Sequence, residues 1–138
     1  MPRRATPEIV RINPPELGSP PGYSQIVAVN TGRIIFISGQ TALDSDGNVI
    51  GKSDFTAQAA QVFRNLAVAL RGCGCTAAHL VKLTVFLTDM NHLASYREAR
   101  NRFFASVTPP AAPAVTLVEV SKLYGPDFLI EIEAVAAV

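Results

Sequence analysis

The sequence predicts a single α+β domain in which a mixed β-sheet is covered on one face by two helices. Three observations support this fold class: short runs alternate in side-chain character with a period of two, two longer stretches place apolar residues at helical spacing, and strands separate the helices along the chain. The 138 residues are 49% hydrophobic and 17% charged, a composition that fits one compact core and makes a second domain unnecessary.

Composition also limits the partners. The net charge is +1 and the basic residues are scattered rather than grouped on one element, so nucleic acid is not an expected partner. The mean hydropathy of +0.26 is high for a small chain, yet no apolar run approaches the ~20 residues that span a bilayer. Excess apolar surface therefore predicts contacts between subunits. The N-terminus lacks the apolar core of a signal peptide, which predicts a cytoplasmic location.

The first part of the chain is rich in proline. We expect residues 1–18 to form an extended lead-in, with at most a short strand at residues 9–12, and residues 19–138 to form the domain. Two strand-like runs follow at residues 23–28 and 33–38, and the Asn and Gly between them predict a β-hairpin. Gly39, just after these runs, fits either a strand bulge or a close approach of the backbone to a ligand.

The middle of the chain predicts two helices with a strand between them. Ser53 is the expected cap of the first helix, which carries an apolar stripe and ends at Gly72. Residues 81–87 alternate as a half-buried strand. Asp89 or Asn91 then caps a second helix, whose own apolar stripe ends before a pair of prolines.

Two further strand-like runs lie near the C-terminus, joined by turn residues at positions 124–127. The period of two in the second run places Glu131 and Glu133 on one face. From the residues alone, Glu131 is either a solvated or salt-bridged strand carboxylate or the acid–base group of a site.

The sequence does not match the residue spacing of the common metal-binding and nucleotide-binding motifs. Cys73, Cys75, His79 and His92 do not follow the spacing of zinc sites, and a calcium loop starting at Asp44 would need a glutamate where the chain has phenylalanine. No phosphate-binding loop or dinucleotide fingerprint is present, so we expect neither a metal nor a cofactor.

Several motifs together resemble the RidA family, also known as YjgF/YER057c/UK114. They are Tyr23-Ser24-Gln25, the run from Phe36 to Gln40 (FISGQ), the run from Val81 to Met90 (VKLTVFLTDM), and the closing VEV and IEIEA. The resemblance covers nearly the whole chain from about residue 9, in order and with similar spacing. It implies a chorismate-mutase-like fold, a homotrimer with ligand clefts between subunits, and hydrolysis of reactive enamines and imines without a metal or cofactor.

The resemblance also implies roles for particular residues. Glu131 matches the acid of the family, and a carboxyl group in an apolar cleft would have its pKa raised toward neutrality, as acid–base catalysis prefers. Tyr23, Ser38 and Gly39 match cleft positions that contact the substrate.

Two positions depart from the deaminase pattern. Val115 follows Pro113-Ala114 where the deaminases carry an arginine that binds the substrate carboxylate, and Leu117 replaces a small or thiol residue. Losing the arginine should cost roughly one to two decades in affinity or rate for a 2-imino acid. Arg97, on the second helix, is either a solvated surface residue or a replacement charge.

Three functions follow as hypotheses. The favoured one is a hydrolase or deaminase acting on a small imine, enamine or related metabolite other than the usual 2-imino acid. The second is a non-catalytic trimer that binds a metabolite in the same cleft, which the apolar Val115 and Leu117 motivate. The third, a ribonuclease or translation inhibitor, conflicts with the near-neutral charge.

Overall fold

The computed structural model describes residues 8–30 and 32–138. The strands and helices are β1 Ile9–Ile12, β2 Ile26–Val29, β3 Ile34–Gln40, α1 Phe55–Gly72, β4 Leu80–Leu87, α2 Leu93–Phe104, β5 Ala114–Glu119 and β6 Ile130–Ala137. Short 3-10 turns occur at Pro15–Leu17, Ala77–His79 and Met90–His92.

Four strands form the main sheet in the order β3-β6-β4-β5. Strand β6 is antiparallel to both β3 and β4, whereas β5 runs parallel to β4 after the α2 crossover. The sheet is therefore mixed, and the predicted α+β class with two helices is confirmed. The two C-terminal strands belong to one sheet, as expected, but β4 lies between them.

The predicted hairpin between residues 23–28 and 33–38 is wrong. Strand β2 pairs with β1 in a separate two-stranded sheet, and β3 pairs with β6. Both strands pair with partners other than each other, so the Asn and Gly signal did not identify the strand pairing. Thr31, within the expected turn, lies outside the described residues. The strand expected at residues 9–12 is present as β1, so part of the expected lead-in contributes a strand.

Both helices pack on one face of the main sheet. The N-cap of α1 is Asp54, whose carboxylate accepts from the backbone N–H of Ala57 at 3.1 Å; Ser53, the predicted cap, instead adopts a φ of 57° in the tight turn before the helix. The predicted end at Gly72 is confirmed. The apolar stripe of α1 is buried, in agreement with the prediction of a core helix, and it consists of Phe55, Ala59, Val62, Phe63, Leu66 and Leu70.

The other face of the main sheet has no helix of the described chain against it. Phe36 is 81% exposed there, and Ile34 and Val118 are 46% and 38% exposed. The ladder register places these side chains on the same face as Val135 and Phe86. Large apolar side chains this exposed on a sheet face are typical of a surface that another subunit covers. Within the described residues, no helix is long and apolar enough to cross a membrane.

Candidate functional site

A β-bulge shapes the middle of β3. Ile37 pairs with Ala134 and Gln40 pairs with Ile132, so β3 advances three residues while β6 advances two. The extra residue falls at Ser38-Gly39, and an inserted residue bends a strand and re-aims the side chains next to it. The strand bulge expected at Gly39 is therefore present, whereas an approach of its backbone to a ligand stays a prediction.

The close approach at Gly39 is to Glu131. A Cβ atom added to Gly39 would lie 2.8 Å from Cδ of Glu131 and would overlap its Oε2. Any side chain at this position would displace the carboxylate. The backbone of β3 and the carboxyl group of β6 are thus packed directly against each other.

The environment of Glu131 changes its proton affinity. Burial, and secondarily the negative charge of Glu133 two residues along β6, raise the pKa of the Glu131 carboxyl group above its usual range. Glu131 is half-buried on the open face of the sheet, whereas Glu133 is exposed. An upward pKa shift makes a carboxyl group a better proton acceptor than a solvated carboxylate, which is the direction that acid–base catalysis uses.

A concave surface of about 360 Å³ adjoins this part of the sheet. Ser38 and Glu133 line it, and Lys82 and Thr84 of β4 form its floor, with Phe36 at the edge. The ammonium group of Lys82 donates to Oγ1 of Thr116 at 2.7 Å, which holds the lysine along the sheet surface. The surface has room for a small molecule beside Glu133, two residues along β6 from Glu131.

Tyr124 approaches the same region from the loop before β6. Its hydroxyl group and Oγ1 of Thr41 are 2.6 Å apart, and Thr41 immediately follows Gln40 at the end of β3. Continuing the antiparallel count from the Gln40 pair brings Thr41 level with Glu131. The Tyr124 ring packs on Phe128 with centroids 4.6 Å apart, although 69% of the tyrosine is exposed. Sequence reasoning gave Tyr124 only a turn role, because the contact with Thr41 crosses 83 residues.

Buried amides of α1 hold the segments around Glu131 in place. The Gln58 side chain is fully buried; its Nε2 donates to the carbonyl of Asp127 at 2.6 Å, and its Oε1 accepts from the backbone N–H of Leu129 at 2.9 Å. Asn65 donates to the carbonyl of Thr41 at 3.0 Å. Residues that pattern alone assigned to the polar side of the helix therefore fix both the entry into β6 and the exit from β3.

The other predicted site residues lie at the β5 edge. Ser24 forms an isolated parallel bridge with Ala114, and its backbone N–H donates to the carbonyl of Pro113 at 3.0 Å. This bridge brings Tyr23 beside the start of β5, where Val115 follows. Val115 and Leu117 are partly buried and pack against the core on the helix side of the sheet.

Within one chain the predicted site residues form two separate groups. Ser38, Gly39 and Glu131 meet at the β3/β6 side, whereas Tyr23 and Val115 lie at β5, separated from β6 by β4. Each inter-strand step is about 4.8 Å, and Val115 faces the opposite side of the sheet from Glu131. Arg97 is exposed on α2 in the helix layer. Its binding role stays a prediction, as do the roles of the other site residues.

Comparison with known proteins identifies the family. The sequence model described as Endoribonuclease L-PSP matches residues 16–138, which is most of the chain. A RutC family protein of Synechocystis is 37% identical over 115 residues, covering 83% of this chain and 84% of the relative. The chain belongs to the Rid family.

Solved structures and named relatives agree with this membership. The Rid family protein YyfB of Yersinia pestis superposes with a TM-score of 0.84 at 32% identity, covering 94% of this chain and 98% of the other. A mouse relative, 36% identical over 90 residues and 65% of each chain, is named 2-iminobutanoate/2-iminopropanoate deaminase. The family recognised from the sequence motifs is confirmed, and so is the likeness of the fold to that family.

The histidines and cysteines of this Rid family chain serve local structure. Nδ1 of His79 accepts from the backbone N–H of Thr76 at 2.9 Å, and the His92 ring stacks on Phe55 at 4.4 Å. Both cysteines are free, and burial raises the pKa of the Cys75 thiol. In the described part of the chain, no group of three or more His, Cys, Asp or Glu side chains could hold a metal ion.

Proposed function

We propose that this Rid family protein hydrolyses a small imine or enamine, with Glu131 as the acid–base group, in clefts shared between the subunits of a homotrimer. The observation that carries the proposal is the packing of the Glu131 carboxyl group against the Gly39 backbone, in surroundings that raise its pKa. An upward shift of its pKa brings a carboxyl group closer to the operating pH, which suits it to take up a proton and give it back during a reaction.

The proposed reaction replaces a C=N bond with a C=O bond. Water attacks the imine carbon as the Glu131 carboxylate takes a proton from it, and the resulting carboxylic acid protonates the nitrogen. The carboxylate next takes the hydroxyl proton of the carbinolamine and passes it to the amino nitrogen, so that the C=O bond forms as the C–N bond breaks and ammonia leaves. An enamine enters the sequence after protonation of its β-carbon, which converts it to the imine. Every proton passes through one group, so no metal or redox partner is needed for the balance.

The separation of the two half-sites supports a shared cleft. Glu131 and Gly39 are at one side of the sheet, and Tyr23 and Val115 are at the other edge. A cyclic assembly would place the β5 edge of one subunit against the β3/β6 side of the next. The exposed Phe36 and Val118 on the open sheet face supply apolar area for that contact.

The name of the mouse relative supports 2-imino acids as the substrate class to test. We further propose that this chain represents a branch without the arginine of the deaminases, because Val115 occupies the corresponding position after Pro113-Ala114. The packing of Val115 and Leu117 against the core supports this view, since neither offers a charge to a ligand. The same observation favours a second candidate, a non-catalytic trimer that binds a metabolite in this cleft.

An imine-hydrolysis assay tests the proposal. With 2-iminobutanoate generated in place, Glu131→Gln should lower kcat by about 10²- to 10⁴-fold, because the proton shuttle is lost while the volume is kept. Glu16→Gln is a matched control, since Glu16 is an exposed carboxylate near the N-terminus. Equal rates for the wild type and Glu131→Gln would contradict the acid–base role, and a wild type that binds 2-oxobutanoate without accelerating hydrolysis would favour the binding protein.

The assembly is tested separately by light scattering. We expect a mass about three times the 14.7 kDa of the chain at micromolar concentration. A monomer under those conditions would remove the shared cleft.

A further inference from the structure

Arg100 of α2 is a buried cation without a counter-ion in the described residues. It is 8% exposed, and no Asp or Glu of residues 8–30 and 32–138 lies within ion-pair distance of it. Its Nε and Nη2 donate to Oδ1 of the neighbouring Asn101 at 3.2 and 3.0 Å. That oxygen is neutral, and it accounts for two of the five N–H donors of a guanidinium. Buried charges in proteins are normally paired, so Arg100 is an exception that calls for a partner.

A second unpaired donor lies beside this arginine. The hydroxyl group of Tyr96 is buried and has no hydrogen-bond partner in the described part of the chain. Burial raises the pKa of Tyr96 to about 12, against the opposing effect of the Arg100 charge, so the phenol carries its proton at neutral pH. The guanidinium carbon is 5.9 Å from the centroid of the Tyr96 ring. Two donors with free capacity on successive turns of α2 point to an acceptor that residues 8–30 and 32–138 do not supply.

The cation lies next to the Tyr23 half-site. A Cβ atom added to Gly22 would lie 2.8 Å from Nη2 of Arg100, so the backbone immediately before Tyr23 contacts the guanidinium. Ser24, two residues beyond Gly22, bridges to Ala114, the residue before Val115. Arg100 therefore adjoins the stretch that holds both Tyr23 and the start of β5.

We propose that Arg100, assisted by the Tyr96 hydroxyl group, binds the carboxylate of a small monoanionic ligand in the Tyr23 half-site. A planar guanidinium matches the two oxygens of a carboxylate, and one buried cation balances one negative charge. Only 8% of Arg100 is exposed, so a ligand that reaches its guanidinium must be a small acid rather than a macromolecule. This proposal rests on the proposed function and extends it, because it names a residue outside β5 that binds the negative charge of the ligand.

A binding experiment separates this proposal from catalysis. Isothermal titration with 2-oxobutanoate, the product expected from the imine, should give a Kd that rises about 10- to 100-fold in Arg100→Gln and less in Tyr96→Phe. The uncharged analogue 2-butanone should not compete. Arg102→Gln, which removes an exposed arginine two residues away on the same helix, should bind as the wild type does.

The outcomes distinguish a ligand site from a purely structural arginine. If Arg100→Gln does not fold, Tyr96→Phe and Arg100→Lys decide the matter, because each keeps the ring packing while changing the donors. Wild-type affinity in folded Arg100→Gln, or in both replacement variants, overturns the proposal, as does tighter binding of inorganic phosphate than of 2-oxobutanoate. If 2-oxobutanoate binding depends on Arg100 but the wild type hydrolyses no imine, the anion site stands and the proposed function fails.

Discussion

The β3/β6 side and the β5 edge of the main sheet differ in which parts of a site a single chain supplies. At the β3/β6 side the chain supplies a carboxyl group, the backbone against which it packs, and buried amides that hold both flanking segments. At the β5 edge it supplies Tyr23 and apolar β5 side chains, with the buried Arg100 behind them. In the proposed reaction the first side supplies the acid–base group and the second supplies the charge for a ligand, so neither would be a complete site alone.

Mixing two variants tests this division with the largest expected effect. Glu131→Gln disables one side and Arg100→Gln the other, so each variant alone should lose most of its activity. Random assembly from equal amounts should restore roughly a quarter of the shared clefts, since one cleft in four then joins two intact sides of a closed ring. The measurement is imine hydrolysis after co-refolding.

Its control is a mixture of separately folded oligomers under conditions without subunit exchange, which should stay inactive. If co-refolded mixtures never exceed the sum of the two variants, the two sides do not act in one cleft.

Gln58 holds the entry into β6, at the β3/β6 side, through two buried hydrogen bonds. We therefore expect Gln58→Ala to lower the free energy of unfolding by about 3 kcal/mol. The reason is that the Leu129 N–H and the Asp127 carbonyl lose their buried partner. Urea denaturation measures the change.

Gln61→Ala is the matched control. Gln61 is only half-buried and shares its acceptor, the Leu43 carbonyl, with Asn65, so its loss should cost under about 1 kcal/mol. Equal effects of the two substitutions would mean that Gln58 does not fix the entry into β6.

Gly39→Ala should lower kcat by about 10- to 100-fold with little loss of stability. The added methyl group takes space that the Glu131 carboxyl group occupies, and a displacement of about 1 Å at a reacting group has a cost of this size. Kinetics of imine hydrolysis, with circular dichroism as a check on folding, measure the two effects.

Gly72→Ala provides the comparison, because a Cβ atom there meets nothing within 4 Å. A fully active Gly39→Ala would show that the position of the Glu131 carboxylate does not matter for turnover.

The sequence was sufficient for features that depend on local periodicity. Alternation in β4 and β6 identified which side chains face the core, and the stripe of α1 identified a buried helix. Motif order was sufficient for the family. Glu131 and Gly39 were both singled out as candidates, but that they touch follows from the β3/β6 ladder, which joins residues about 90 positions apart.

Features that depend on long-range pairing escaped prediction. The expected hairpin failed because turn residues do not specify which strands pair. Gln58 lies on the side of α1 that helical spacing assigns to polar residues, and spacing alone does not reveal a loop packed over that side; Arg100 was not singled out at all. Arg97, the arginine chosen from the sequence, is exposed, whereas the buried one lies almost one turn further along α2.

The smallest expected effect is a change in the kinetic pKa assigned to Glu131. Glu133→Gln removes the negative charge that contributes to the raised pKa of Glu131, so the kinetic pKa assigned to Glu131 should fall while staying above 4.5, because burial remains the larger cause. The dependence of kcat/KM on pH measures this shift. Glu119→Gln, which removes a carboxylate from β5 instead, should leave that pKa in place.

The pH dependence of stability measures the pKa of Glu131 independently of catalysis. A carboxyl group whose folded pKa is raised contributes stability at pH values below its unfolded pKa, and that contribution is lost as the pH rises through the folded pKa. Glu131→Gln should therefore have a higher Tm than the wild type at pH 7, and the difference should shrink as the pH is lowered below 4.5. A difference that grows toward acid would mean that the Glu131 pKa is lowered rather than raised, and the β3/β6 side would then hold a permanently ionised carboxylate with no proton to return.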